Sequence, residues 1–256
     1  MNIHLYSSPD DLPVDLRRYV RSGAGSQLLV FHHPYLVEIF PFGLADRIEN
    51  VLELRRTHAE KNLDEGLLSG FIFSHQRPYR LSALLSLVKR DGMFPDDRAA
   101  IRFWRLAASV WMDAEESEDS PIWSYLLAAP VPLREAMTTS FDRRAWRALP
   151  DVVTIYRGLQ AGDEESARDA LCAGWSWSLS EKVARFFSRR YIASSDLPWI
   201  ARTQVPREAI LAYLTRRNEA EVLVSPDVID PCLVSLSQLS DQAGCDDMVS
   251  LKDFAT

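Results

Sequence analysis

The stretch that decides the fold reads Gly174-Trp175-Ser176-Trp177-Ser178-Leu179-Ser180-Glu181-Lys182-Val183-Ala184-Arg185-Phe186-Phe187. Its first half alternates hydroxyls with indoles. That period of two belongs to a strand, with the hydroxyls on one face and the tryptophans on the other. Its second half changes period: Val183, Ala184, Phe186 and Phe187 recur at helical spacing, and Ser178 with Glu181 has the spacing of a capping box. The expectation is a strand over 174–179 that turns at once into a helix over 178–190. Strand and helix in one short passage argue for an α+β fold.

Working outward, residues 152–156 are β-branched and aromatic and predict a strand. Residues 164–173 predict a helix closed by Gly174. Further strands are expected over 199–205, 210–214, 221–224 and 232–236. Upstream of Pro150 the pattern is helical. Ile101, Trp104, Ala108 and Trp111 share one face of a helix over 96–115, with Asp96 and Asp97 suited to its positive end. That aromatic face is expected to pack on the later sheet. Shorter helices are expected over 123–127 and 133–137 and around Trp146. Earlier still, 81–88 and 44–57 read as helices, and 28–40 as one or two strands around His32-His33-Pro34. The organisation expected is a mainly helical region over 1–90 and a second domain over 91–256.

The chain has 256 residues, 47% hydrophobic and 25% charged, which excludes a wholly disordered polymer. Lys and Arg total 29 against 36 Asp and Glu, a net charge of -7 that argues against a broad nucleic-acid surface but not a focused contact. Cys172, Cys232 and Cys245 form no CxxC pair and suit a reducing compartment. No run of about 18 apolar residues is present, so no membrane association is expected. The first residues lack a basic segment followed by an apolar core. The expected location is the cytoplasm, or a target cell reached without a classical signal peptide.

Three segments carry possible chemistry. Tyr156-Arg157-Gly158 puts a planar fork of donors at a strand end, suited to a phosphate or carboxylate. Ser176-Trp177-Ser178 lines one strand face with hydroxyls. Glu219-Ala220-Glu221 places two carboxylates two apart, on one side of an extended chain, where each raises the other's pKa unless neutralised. Each segment also has an ordinary reading: a surface arginine before a turn, a capping serine with core tryptophans, an exposed edge strand. His4, His32, His33, His58 and His75 show no metal spacing, and no phosphate-loop, GxGxxG or Gly-x-Ser-x-Gly pattern occurs.

Taken in order, about 20 and 40 residues apart, the three segments resemble the Arg, Ser-Thr-Ser and Glu-x-Glu signature of mono-ADP-ribosyltransferases of the arginine-serine-glutamate class, which includes many bacterial toxins. Tryptophan stands at 177 where the family has threonine. Val183, Ala184, Phe186 and Phe187 are similar to the family's following helix. The resemblance spans residues 150–226. It implies a split β-sheet core within 91–256 and NAD as substrate. It implies that Arg157 holds a phosphate and that Gly158 lets the backbone approach the nicotinamide amide. It also implies that Ser176, Trp177 and Ser178 line the cleft, and that Ser178, with Ser176 as a second candidate, hydrogen-bonds toward the catalytic glutamate. Glu221 would bind the ribose 2'-hydroxyl and Glu219 would orient or deprotonate the acceptor. One of Trp175, Phe186 or Phe187 would pack near the nicotinamide, and 215–218 would meet the target.

The implied activity is transfer of ADP-ribose from NAD to a macromolecule, with a protein arginine favoured by Glu219. The alternatives are an NAD glycohydrolase, a nucleic-acid ADP-ribosyltransferase and a catalytically inactive interaction protein with the same core. The implied partners are the acceptor and a neutralising antitoxin or immunity protein, as for a toxin or phage-defence component. No metal is implied.

Overall fold

The computed structural model describes residues 12–22, 28–41, 45–90, 94–113, 121–171, 174–190, 195–215 and 219–239. Contacts divide the chain into two units, one of residues 1–95 and 109–116, the other of residues 96–108 and 117–256.

The first unit begins with a short helix, α1 (Val14–Arg17), and a three-stranded antiparallel meander of β1 (Val20–Ser22), β2 (Leu28–His33) and β3 (Leu36–Pro41). The two strands expected around Pro34 are β2 and β3. Helices α2 (Ala45–Asp64), α3 (Leu68–Ser74) and α4 (Arg77–Val88) follow. Leu12, Leu16, Phe31, Leu36, Ile48 and Leu52 form its buried apolar cluster. Polar ties join meander and helices: Gln76 N–H donates to the Pro34 carbonyl at 2.7 Å and the Tyr79 hydroxyl to the His32 carbonyl at 2.5 Å. Rings connect along the same region, with Tyr19, Phe31 and Tyr35 each within contact of His33, and Tyr35 4.6 Å from His75.

Helix α5 (Asp97–Asp113) contributes residues to both units. Asp96 Oδ1 accepts from the Ala99 N–H at 2.7 Å, the cap expected at that end. Trp104 is fully buried, and its indole N–H donates to the Pro132 carbonyl at 2.8 Å. The polar end of the aromatic face is thus held by the segment after α6 (Pro121–Ala128).

The second unit continues through a 3-10 turn, Arg134–Met137, and α7 (Ser140–Arg147) into an open six-stranded sheet. Its strands are β4 (Val152–Ala161), β5 (Ser176–Ser178), β6 (Leu197–Pro206), β7 (Ile210–Leu214), β8 (Glu221–Val224) and β9 (Ser235–Gln238). Helix α8 (Glu164–Leu171) lies between β4 and β5, and α9 (Glu181–Arg189) between β5 and β6. The spatial order is β7-β8-β5-β4-β6-β9, and every pair is antiparallel. Helices before and beside an open sheet make this an α+β architecture.

Strand β4 alternates strictly: Val153, Ile155, Arg157, Leu159 and Ala161 are its buried series, and the four apolar members share one cluster with Trp177, Val222 and Val224. Its opposite face meets α9, and Tyr156 packs there with Ala184 and Ile200. β4 and β6 pair over ten residues, whereas β4 and β5 pair only at Tyr156 and Ser178. The sheet is therefore two three-stranded halves joined at one residue pair.

The expected cap moves by two residues. Ser180, not Ser178, caps α9, accepting from the Val183 N–H at 3.4 Å. Both serines precede the helix, and Ser178 stays in β5 because its backbone belongs to the β5–β8 ladder opposite Glu221.

Candidate functional site

Gly158 and Gly174 shape the surroundings of Arg157 in different ways. A Cβ on Gly158 would stand 2.1 Å from the Ala184 carbonyl oxygen and 2.5 Å from the Ser188 nitrogen, so helix backbone rests directly on the strand there. The resemblance implies a close approach of the nicotinamide amide to the Gly158 backbone; over its Cα the close neighbour is α9.

Arg157 is the first residue of β4 beyond the single β4–β5 pair, where the strands part. Its guanidinium lies against Gly174: a Cβ at 174 would fall 1.6 Å from Nη1 and 1.8 Å from Nη2. Only glycine admits the arginine head at that place.

Two residues along, the Ser176 hydroxyl donates to Glu221 Oε1 at 2.7 Å. Two further, the Ser178 hydroxyl donates to the Glu219 carbonyl at 2.7 Å and accepts from the Ser180 N–H at 3.0 Å. Thus the Arg157 guanidinium, the Glu221 carboxylate and the Glu219 main-chain carbonyl meet successive alternate positions of the β5 segment, 174, 176 and 178. The ladder holds this register: Ser178 pairs with Glu221, and the Val224 N–H donates to the Trp175 carbonyl at 3.0 Å. All three charged side chains are buried, with 8% of Arg157, 6% of Glu219 and 4% of Glu221 exposed.

Two expectations need correction. The hydroxyl bonded to the Glu221 carboxylate is that of Ser176, while Ser178 binds main chain, because Glu219 presents its carbonyl there. Nor is Glu219-Ala220-Glu221 an extended run. Ala220 has a φ of +46°, a left-handed conformation unusual for a residue with a Cβ, so the two glutamates do not share a face by strand alternation. The Ala220 carbonyl accepts from the Leu179 N–H at 3.0 Å, which helps to fix the kink.

Trp177 occupies the other face of β5, 2% exposed within the main apolar cluster. The Trp175 indole N–H donates to the Ser124 hydroxyl at 2.9 Å. Phe187 stacks edge-on with Phe186 at 5.4 Å and lies under the Arg190 guanidinium at 5.8 Å. Of the expected target loop, Thr215 is described and 216–218 lie outside the described residues.

Thr215 reveals an anchor that sequence reading passed over. Asp142, 1% exposed, accepts at Oδ1 from the Thr215 N–H (3.1 Å) and hydroxyl (2.6 Å), and at Oδ2 from the Thr139 N–H (2.7 Å) and hydroxyl (2.6 Å). Burial alone would raise its pKa, but these four donors outweigh it and hold the carboxyl below its ordinary value. The Thr139-x-x-Asp142 capping box was legible locally; its reach to Thr215, across 73 residues, was not.

Among the described residues, no group of three or more His, Cys, Asp and Glu could hold a metal ion, and no helix is long and apolar enough to cross a membrane. Comparison with family models, curated proteins and solved structures finds no match.

Proposed function

We propose that the chain is an NAD-dependent mono-ADP-ribosyltransferase whose acceptor is a macromolecule, in first place a protein arginine. The observation that carries this reading is that the Arg157 guanidinium lies on Gly174 and the Glu221 carboxylate on Ser176, two positions apart on the β5 segment, at the place where the sheet divides. The split sheet supports an ADP-ribosyltransferase-like core for the second unit.

In this reading the reaction breaks the bond between nicotinamide and C1' of its ribose, the electron pair leaving with the ring. The ring is cationic beforehand and needs little acid help. Glu221, oriented by Ser176, sets a fixed negative charge against the positive charge developing on the sugar. Arg157 grips the diphosphate and limits drift of the ribose. Glu219 receives the proton of the attacking acceptor nitrogen. Gly174 is part of the machinery because it gives Arg157 its place. Trp177 is left out of the contact set, since its ring belongs to the core.

The burial of both glutamates favours one second reading, an NAD glycohydrolase whose acceptor is water. Incubation with NAD labelled in its adenylate part, in a cell lysate resolved into protein, DNA and RNA, separates the two. Label on protein, lost with Glu221→Gln, supports the proposal; label on nucleic acid changes the acceptor. Free ADP-ribose alone selects the glycohydrolase. NAD left intact by parent and variant alike removes both enzymes and leaves an interaction protein. A neutralising partner and a cytoplasmic site of action accompany the transferase reading as part of the same proposal.

A further inference from the structure

A pocket of about 190 Å³ lies apart from these carboxylates, between α7 and β7. Its β7 wall is four consecutive residues, 210–213. Neighbouring residues of a strand point to opposite faces, so one pocket touching all four faces the strand's backbone edge. Among the described residues β7 is also an end strand of the sheet, paired only with β8.

Hydrogen bonding gives the direction of that edge. The Thr215 N–H leaves the sheet to reach Asp142. By the alternation of an antiparallel ladder, Leu214 turns its main-chain groups toward Glu221, and Tyr213 turns its own outward again, toward α7. Leu211 is the extra residue of a bulge between Ile210 and Ala212, which bends the edge further. An outward edge beside a pocket is a template for another strand.

The helical wall supplies the chemistry. Trp146, with the Arg207 guanidinium 5.4 Å from its ring centre, offers an apolar side, and Arg143 and Arg147, four apart, line the same pocket, Arg143 with Nη1 already donating to the Thr138 carbonyl at 2.6 Å. Arg144 adds a third guanidinium to the helix. Asp142 also lines the pocket, but four donors already engage its carboxylate; Glu135 is the other acid there.

We infer that this edge takes an extended polypeptide segment of a partner, paired to β7, with an apolar side chain against Trp146 and an adjoining acidic side chain on Arg143 and Arg147. This is β-strand addition, in which main-chain hydrogen bonds hold the peptide and a pocket selects its side chains. It does not rest on the NAD reading.

The test uses the full chain and a panel of fluorescent nine-residue peptides. Valine and threonine flank a central pair of one apolar residue and glutamate, the apolar residue varied across the panel. Fluorescence anisotropy should find a member binding more tightly than about 1 mM. Arg147→Glu, at an exposed position, should weaken that peptide at least ~tenfold and reverse the preference toward the same peptide with lysine in place of glutamate. Methylating alternate peptide nitrogens should also remove binding, and amide shifts on adding the parent peptide should centre on 210–213 and 143–147. Absence of binding by every panel member overturns the inference. So does equal binding of the lysine or methylated peptide by the parent protein, or displacement by a nine-nucleotide single strand, which would mark a general anion site.

Discussion

Gly158→Ala is the most direct test of how α9 sits on β4. The added Cβ would meet the Ala184 oxygen at 2.1 Å and the Ser188 nitrogen at 2.5 Å, both main-chain atoms of the helix. To bring the first contact to about 3.0 Å, α9 must withdraw by about 0.9 Å. Withdrawal loosens Val183, Ala184 and Ser188, each 2% exposed or less. Overpacking of this kind costs ~1–3 kcal/mol or somewhat more where backbone must move. Loss of glycine's freedom in the unfolded chain returns ~0.4–1 kcal/mol. Because both clashing atoms are main chain, the upper part of the overpacking range, about 2–3 kcal/mol, applies, and the net destabilisation of about 1–2.6 kcal/mol lowers Tm by about 2–10 °C in a protein of this size. Thermal unfolding by circular dichroism and urea titration measure it. Gly174→Ala is the internal control for stability, because the atoms its Cβ would meet first are the end of the Arg157 side chain rather than backbone. A Gly158→Ala protein as stable as the parent, or a Gly174→Ala protein that loses more, would refute the close packing inferred here.

Gly174→Ala should instead reduce NAD affinity at least ~tenfold while Tm changes by no more than ~2 °C, since it expels the Arg157 head from its place; calorimetric titration with NAD checks it. Ser176→Ala should lower turnover by ~10–100-fold, the worth of a hydrogen bond to a charged group, with the fold intact by circular dichroism; unchanged turnover would separate that bond from the chemistry. Asp142→Asn should destabilise by ~1–3 kcal/mol in urea, because an amide nitrogen cannot accept from the threonine donors. The parent carboxyl is held low, so its stabilisation is full above its ordinary value of 3.8 and is lost as pH falls through the lower folded value. The variant's stability should fall less steeply over that acid range. His33 follows the same sign at higher pH: burial first, then nearby Arg18, pushes it from 6.5 to about 4, so the folded chain resists a proton that the unfolded chain takes. Stability from this group is full above about 6.5 and drains between 6.5 and 4, and an NMR titration of the His33 ring should show a midpoint near 4.

The strands were readable where side chains alternate without competition. Val153, Ile155 and Leu159 place β4, and Val183 and Ala184 place α9, because burial follows a fixed period. The cap of α9 was misplaced because Ser178 and Ser180 are chemically equivalent; the register with β8 decides between them, and register is a long-range property. At the candidate site, residue types marked Arg157, Ser176, Ser178, Glu219 and Glu221, with Ser178 expected on the carboxylate where the structure has Ser176. Their geometry was hidden. Alanine gives no warning of the positive φ at 220, and glycine at 174 reads as a helix terminator, although its missing side chain makes room for a residue 17 positions earlier. The pocket at β7 escaped notice because its two walls are about 70 residues apart and neither is unusual alone.

The lone Tyr156–Ser178 pairing has a mechanical meaning. Ten rungs bind β4 to β6, yet a single rung crosses the middle of the sheet. Main-chain pairing is thinnest there, and the junction is carried instead by side chains from both leaves, Trp177, Val222 and Val224 against Val153, Ile155 and Leu159. Arg157 sits one residue from the seam, so in the proposed reading the reach of its guanidinium depends on how that apolar layer spaces the two leaves.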